Sequence, residues 1–137
     1  MPDTTIREMN PYAKTMILLR RVLQERSRRG RGLADVVALF GHDDVKMVSA
    51  VASLPPDQQR AKLSEAARAV NAQALAAVYE GLDTDGERRV CCVLIERDAA
   101  PRGWLVDPSE GATIRSVTDD AALAMASAIP SLLGALT

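Results

Sequence analysis

Three groups of residues in this 137-residue chain are of types that do chemistry. The largest is basic. Arg20, Arg21, Arg26, Arg28, Arg29 and Arg31 place six guanidiniums within twelve residues. A guanidinium is a planar fork of donors that matches a carboxylate or a phosphate. The segment therefore suits an acidic protein surface, or nucleic-acid phosphates with steep salt dependence. The second group is Cys91-Cys92. Adjacent side chains in a strand point to opposite faces, so the pair cannot hold a metal as Cys-x-x-Cys does. A nucleophilic thiolate would need a base or positive surroundings. The expectation is two small buried core residues. The third is Gly41-His42-Asp43-Asp44, where the lone histidine meets two carboxylates. Zinc wants more ligands, and the alternating pattern of a calcium loop is absent. This stretch reads as a glycine stop, an Asp cap and an acidic first turn.

No other constellation names a reaction. Neither a nucleophile elbow nor a phosphate-binding glycine loop occurs, and Gly30-Arg31-Gly32 is too short to be one. One histidine removes the templates that need two or three. The aromatics are Tyr12, Phe40, Tyr79 and Trp104, too few for a stacking platform on single-stranded nucleic acid. Arginine outnumbers lysine 14 to 3 and alanine occurs 22 times, a high-GC bacterial signature rather than a functional one. The net charge of −1 hides a dipole. Residues 1–33 carry eight bases and three acids (+5), and the rest nine bases and fifteen acids (−6). The length fits one domain with a core that needs no disulfide. No apolar run is long enough to span a membrane, and no signal-peptide pattern opens the chain, so a cytoplasmic location is expected.

The elements that must carry these residues follow from caps and periodicity. Asn10-Pro11 starts a helix with an apolar stripe of Tyr12, Met16, Leu19 and Leu23, running to about Arg26. Ser27–Gly32 should be a solvated loop. Leu33–Phe40 reads as a short apolar helix closed by Gly41, and Val45–Leu54 as another. Together Leu33–Leu54 has the outline of a helix-turn-helix, with Val37, Gly41 and Met47 near the motif's spacing. His42 stands where that motif buries an apolar residue, and Asp43 and Asp44 would face phosphates, so a helical hairpin in the core is the preferred reading. A long helix follows Pro56, with the stripe Leu63, Ala67, Val70, Ala74 and Ala77, ending at Gly81. A rival reading ends it near Asn71 and makes Ala74–Leu82 a strand.

Beyond a turn at Asp83–Gly86 the character changes. Val90–Ile95 is an apolar run suited to a strand covered on both faces. Trp104–Val106 and Thr113–Val117 add two more strands around the turn Asp107–Gly111. Thr118 caps a last helix with Asp119 and Asp120 in its first turn, a stripe of Leu123, Ala126, Ile129 and Leu133, and Pro130 to kink it. The fold expected is α+β in a single domain. Residues 1–81 are mainly helical, 82–117 form a three- to four-stranded antiparallel meander, and 118–137 close it as a helix. The function expected is a small bacterial, non-enzymatic interaction or regulatory module that binds a protein partner, with a homodimer plausible. The alternative is nucleic-acid binding through the phosphates at Arg20–Arg31. No catalytic residue, metal, cofactor or membrane partner is expected.

Overall fold

The computed structural model describes residues 10–29, 35–42, 44–82, 86–106, 113–127 and 135–136. Helix α1 (Pro11–Arg29) starts where Asn10 places it: the Asn10 side chain accepts from the Ala13 N–H at 2.8 Å. The helix runs one turn past Arg26. Strands β1 (Val36–Phe40) and β2 (Val45–Ser49) follow as a hairpin, then a 3-10 turn at Val51–Ser53. Helix α2 (Pro56–Val70) has its proline at the first position and stops at Asn71, which adopts the left-handed conformation. Strands β3 (Ala74–Leu82), β4 (Arg88–Glu96), β5 (Arg102–Val106) and β6 (Ile114–Ser116) form a meander. Helix α3 (Asp119–Ala126) begins at Thr118, whose hydroxyl accepts from the Ala121 N–H at 3.2 Å.

The six strands make one antiparallel sheet in the order β2-β1-β3-β4-β5-β6. The α+β class and the meander stand, and the strand number is six rather than three or four. Three segments depart from their expected state. Leu33–Phe40, expected as a helix, is β1 from Val36 onward, and Val45–Leu54 is β2 and the 3-10 turn. The helix-turn-helix outline over Leu33–Leu54 is therefore absent. Ala74–Leu82 is a strand, as the rival reading had it. Residues 1–81 thus interleave three strands with two helices among the described residues. The turns at Asp83–Gly86 and Asp107–Gly111, the loop Gly30–Gly32, Arg31, Asp43, Ile129, Pro130 and Leu133 lie wholly or largely outside the described residues.

Burial on both sides of the sheet explains the strands. On one face Val37, Leu39, Leu75, Ala77, Cys91 and Val93 pack beneath α2 and α3. On the other, Ala38, Phe40, Ala76, Val78, Cys92 and Leu94 pack beneath Met16, Leu18 and Leu19 of α1. A five-residue apolar run fits a buried strand as well as a buried helix, so periodicity could not separate them. In β3, alanine's helical preference yields to burial between β1 and β4. Small side chains there let α1 approach closely.

Local chemistry fixes the hairpin's ends. The buried Asp35 carboxylate accepts from Val51 N–H at 2.8 Å and Ala52 N–H at 3.1 Å, capping the 3-10 turn after β2. At the other end Gly41 is not a helix stop. A side-chain carbon there would sit 2.0 Å from the Val70 carbonyl oxygen, so glycine alone fits under the end of α2. Gly41→Ala is expected to cost about 1–3 kcal/mol, the usual penalty of overpacking. Asp35→Ala is expected to cost a similar roughly 1–3 kcal/mol by orphaning two amides. Urea denaturation of both variants against wild type measures this.

Candidate functional site

The arginine segment lies on the outer side of α1, and the sheet sorts its members. Arg20, Arg21 and Arg28 are exposed, with Gln24 and Ser27 between them, a stripe at helical spacing. Arg28 also contacts Glu25 at 3.4 Å one turn earlier. Arg26 turns inward and donates from Nε to the Glu80 carboxylate on β3. Glu80 keeps only 13% of its side chain exposed and also meets Arg88 Nη1 of β4 at 3.4 Å. The Arg26–Glu80–Arg88 group therefore ties the C-terminal half of α1 to the sheet. Arg29 ends the helix, and Arg31 lies outside the described residues.

The N-terminal half of α1 is anchored by aromatics. Tyr12 packs on Trp104 with ring centroids 5.7 Å apart, and the Arg102 guanidinium lies within 6 Å of both rings. Arg102 also reaches Glu96 at 3.5 Å. Trp104 is 6% exposed, so it is a core anchor and not a contact surface. On the β1 side the Lys14 ammonium sits 5.8 Å from the Phe40 ring centroid.

The other chemical groups are held apart. Cys91 and Cys92 are buried, neither in a disulfide, and face the α2 and α1 layers respectively. Burial pushes the Cys92 thiol from 9.0 up to about 12, with adjacent Cys91 adding to the shift. His42 is exposed just beyond β1. The pairings Phe40 with Ala74 and Cys92 with Val78 separate that end from Cys92 by four residues of β3. That is roughly 13 Å along the strand, before two strand spacings are added. No base–nucleophile pair forms between them. Among the described residues no three His, Cys, Asp or Glu side chains gather as a metal site. An open hollow of about 290 Å³ lies at the β4–β5 turn, beside Glu96, Arg97 and Asp98. There Arg97 Nε donates to the Ala72 carbonyl at 3.2 Å.

Three groups important to the layout carried no signal in the sequence reading. Glu80 and Asp35 act on partners 54 and 16–17 residues away, which spacing cannot reveal. Tyr79 donates to the Met125 carbonyl at 3.0 Å and ties β3 to α3; burial holds its hydroxyl well above the usual tyrosine range. The alternation Val45-Lys46-Met47 in β2 was a strand signal of its own. Among the described residues no helix is long and apolar enough to cross a membrane. The chain matches no protein-family model, no characterised protein and no solved structure.

Glu80→Ala should cost about 1.5–3 kcal/mol, because it strips a charge-assisted bond from Arg26. Arg20→Ala and Arg21→Ala should each stay within about 0.5 kcal/mol of wild type. Thermal unfolding of the three variants checks the contrast. Cys92 sets a pH dependence. Below its ordinary 9.0 the thiol is neutral in both states, and its contribution to stability is complete. As pH rises from 9.0 toward about 12, the unfolded chain loses the proton first, so stability should fall through that window. Denaturation midpoints measured across it should decline, and less steeply in Cys92→Ala.

Proposed function

We propose that this protein is a non-enzymatic interaction module whose α1 face docks an acidic segment of a protein partner. The observation that carries the reading is the exposed stripe of Arg20, Arg21 and Arg28 on a helix where Arg26 is turned inward onto Glu80. The planar guanidinium fork loses less freedom per hydrogen bond to a carboxylate than a lysine ammonium does.

The same stripe favours protein over nucleic acid for two reasons. Glu25 and Glu80 sit among the bases and dilute the positive field. Phe40 and Trp104 are buried, and the exposed Tyr12 is packed on Trp104, too few rings for a stacking platform on bases. Nucleic-acid binding through Arg20, Arg21, Arg26, Arg28, Arg29 and Arg31 is the competing outcome. The test captures partners from the native host with wild-type protein and with the Arg20→Glu/Arg21→Glu/Arg28→Glu variant. A parallel anisotropy titration uses duplex DNA, single-stranded DNA and RNA at two salt concentrations. The expected result is a stoichiometric protein with an acidic contact region, held by wild type and lost by the variant, and no nucleic-acid binding at low salt. Salt-sensitive nucleic-acid binding without a protein partner would replace the reading.

A further inference from the structure

We propose that the free edge of β2 is the seam of a twofold homodimer, in which β2 of two copies pair antiparallel about Met47. This edge is a surface distinct from the exposed arginines of α1. β2 ends the sheet, paired with β1 on one side and with no described strand on the other. Edge strands are commonly protected by charge, proline, a bulge or shortness. The opposite edge, β6, is three residues long. β2 is a regular five-residue strand, in register with β1 throughout, and carries one charge, Lys46. Val45 is 42% and Met47 54% exposed, two of the four exposed large apolar residues among those described.

The hydrogen-bond phase of the hairpin determines what that edge offers. Gly41 N–H donates to the Asp44 carbonyl at one end, and Ala50 N–H to the Asp35 carbonyl at the other, each at 2.8 Å. Counting by twos from these pairs, Lys46 and Val48 direct their backbone groups at β1. The N–H and C=O groups of Val45, Met47 and Ser49 therefore point outward, three donors and three acceptors. A twofold axis at Met47 puts Met47 opposite itself and Val45 opposite Ser49. Every outward group then pairs, in six hydrogen bonds across the seam. A centre at Lys46 or Val48 would pair only two of the three outward residues, in four hydrogen bonds, and the first would set Lys46 directly against itself.

The side chains fit the same register. Val45 and Met47 share the α1 face with Ala38 and Phe40; across the seam Met47 meets Met47 of the second copy, and Val45 lies diagonal to it. On the other face Lys46 lies opposite Val48, so no like charges oppose directly. The Lys46 of the second copy is a diagonal neighbour about 7–8 Å away. Five residues of strand bury less than the roughly 1,200 Å² of a stable interface. Helix α2 supplies the remainder, because it packs over β2 and β1. A twofold axis perpendicular to the sheet keeps both copies of α2 on the same face, on either side of the seam. The helix's exposed Asp57, Arg60, Lys62, Glu65 and Arg68 mix both signs, which suits an antiparallel copy of itself.

Sedimentation equilibrium on wild type should give twice 14.7 kDa. Amide exchange by NMR should show Val45, Met47 and Ser49 protected alongside Lys46 and Val48. Met47→Lys and Met47→Glu each place like charges on the axis. Each should sediment as a monomer, with exchange of the three outward amides at least about tenfold faster. An equimolar mixture of the two variants should restore the dimer. Should a variant fail to fold, the wild-type mass and exchange pattern decide alone. A monomeric mass at every attainable concentration would overturn the proposal. So would a dimer in which the three outward amides exchange as unpaired groups, or one that Met47 variants leave intact. Arg20→Glu/Arg21→Glu should leave the mass unchanged, which separates this seam from the α1 face.

Discussion

Burial of the sheet on both faces is the constraint on which the rest of this molecule depends. Residues of β1, β3 and β4 are covered by α1 on one side and by α2 and α3 on the other. A strand buried twice cannot show polar alternation, so its sequence must be apolar throughout. That requirement admits Val36–Phe40, the alanines of β3 and the paired cysteines of β4. It also separates the surfaces. The arginines project from the α1 layer, while Tyr79 and the thiol of Cys91 belong to the layer beneath α2 and α3.

The few polar groups within the fold act as fasteners. Asp35 joins the start of β1 to the turn after β2, Glu80 holds α1 to β3, and Tyr79 holds α3 to β3. Each connects a layer to the central strands through one bond or two. Arg26 belongs to this set although it lies within the basic cluster. Its guanidinium positions the helix, and its neighbours Arg20, Arg21 and Arg28 are the ones that meet solvent.

What the sequence disclosed follows the range of the interactions involved. Asn10-Pro11, Pro56, Val90–Ile95 and Thr118 each announced an element through local chemistry, and each element is present, although the helix after Pro56 stops at Asn71 rather than Gly81 and the one after Thr118 spans Asp119–Ala126 rather than closing the chain. The hairpin over residues 36–49 did not, because an apolar run that short satisfies helix and strand alike. Gly41 misled for a related reason. Its role is steric, set by a carbonyl of α2 twenty-nine residues later, and a glycine near an apolar run looks like a helix stop. The candidate site was half legible. The arginines were plain in composition, but only the fold divides Arg26 from Arg20, Arg21 and Arg28, through a carboxylate 54 residues away.

The free edge of the sheet exists only because residues 36–49 form an antiparallel hairpin. Proton–proton contacts measured by NMR on the intact chain address this directly. Ala38 with Met47, and Phe40 with Val45, are non-hydrogen-bonded pairs, with α carbons about 4.5 Å apart. Their α protons should give strong cross-strand contacts, with extended backbone shifts on both strands. Sequential amide–amide contacts and helical shifts across residues 36–49 would contradict the hairpin and remove the edge with it.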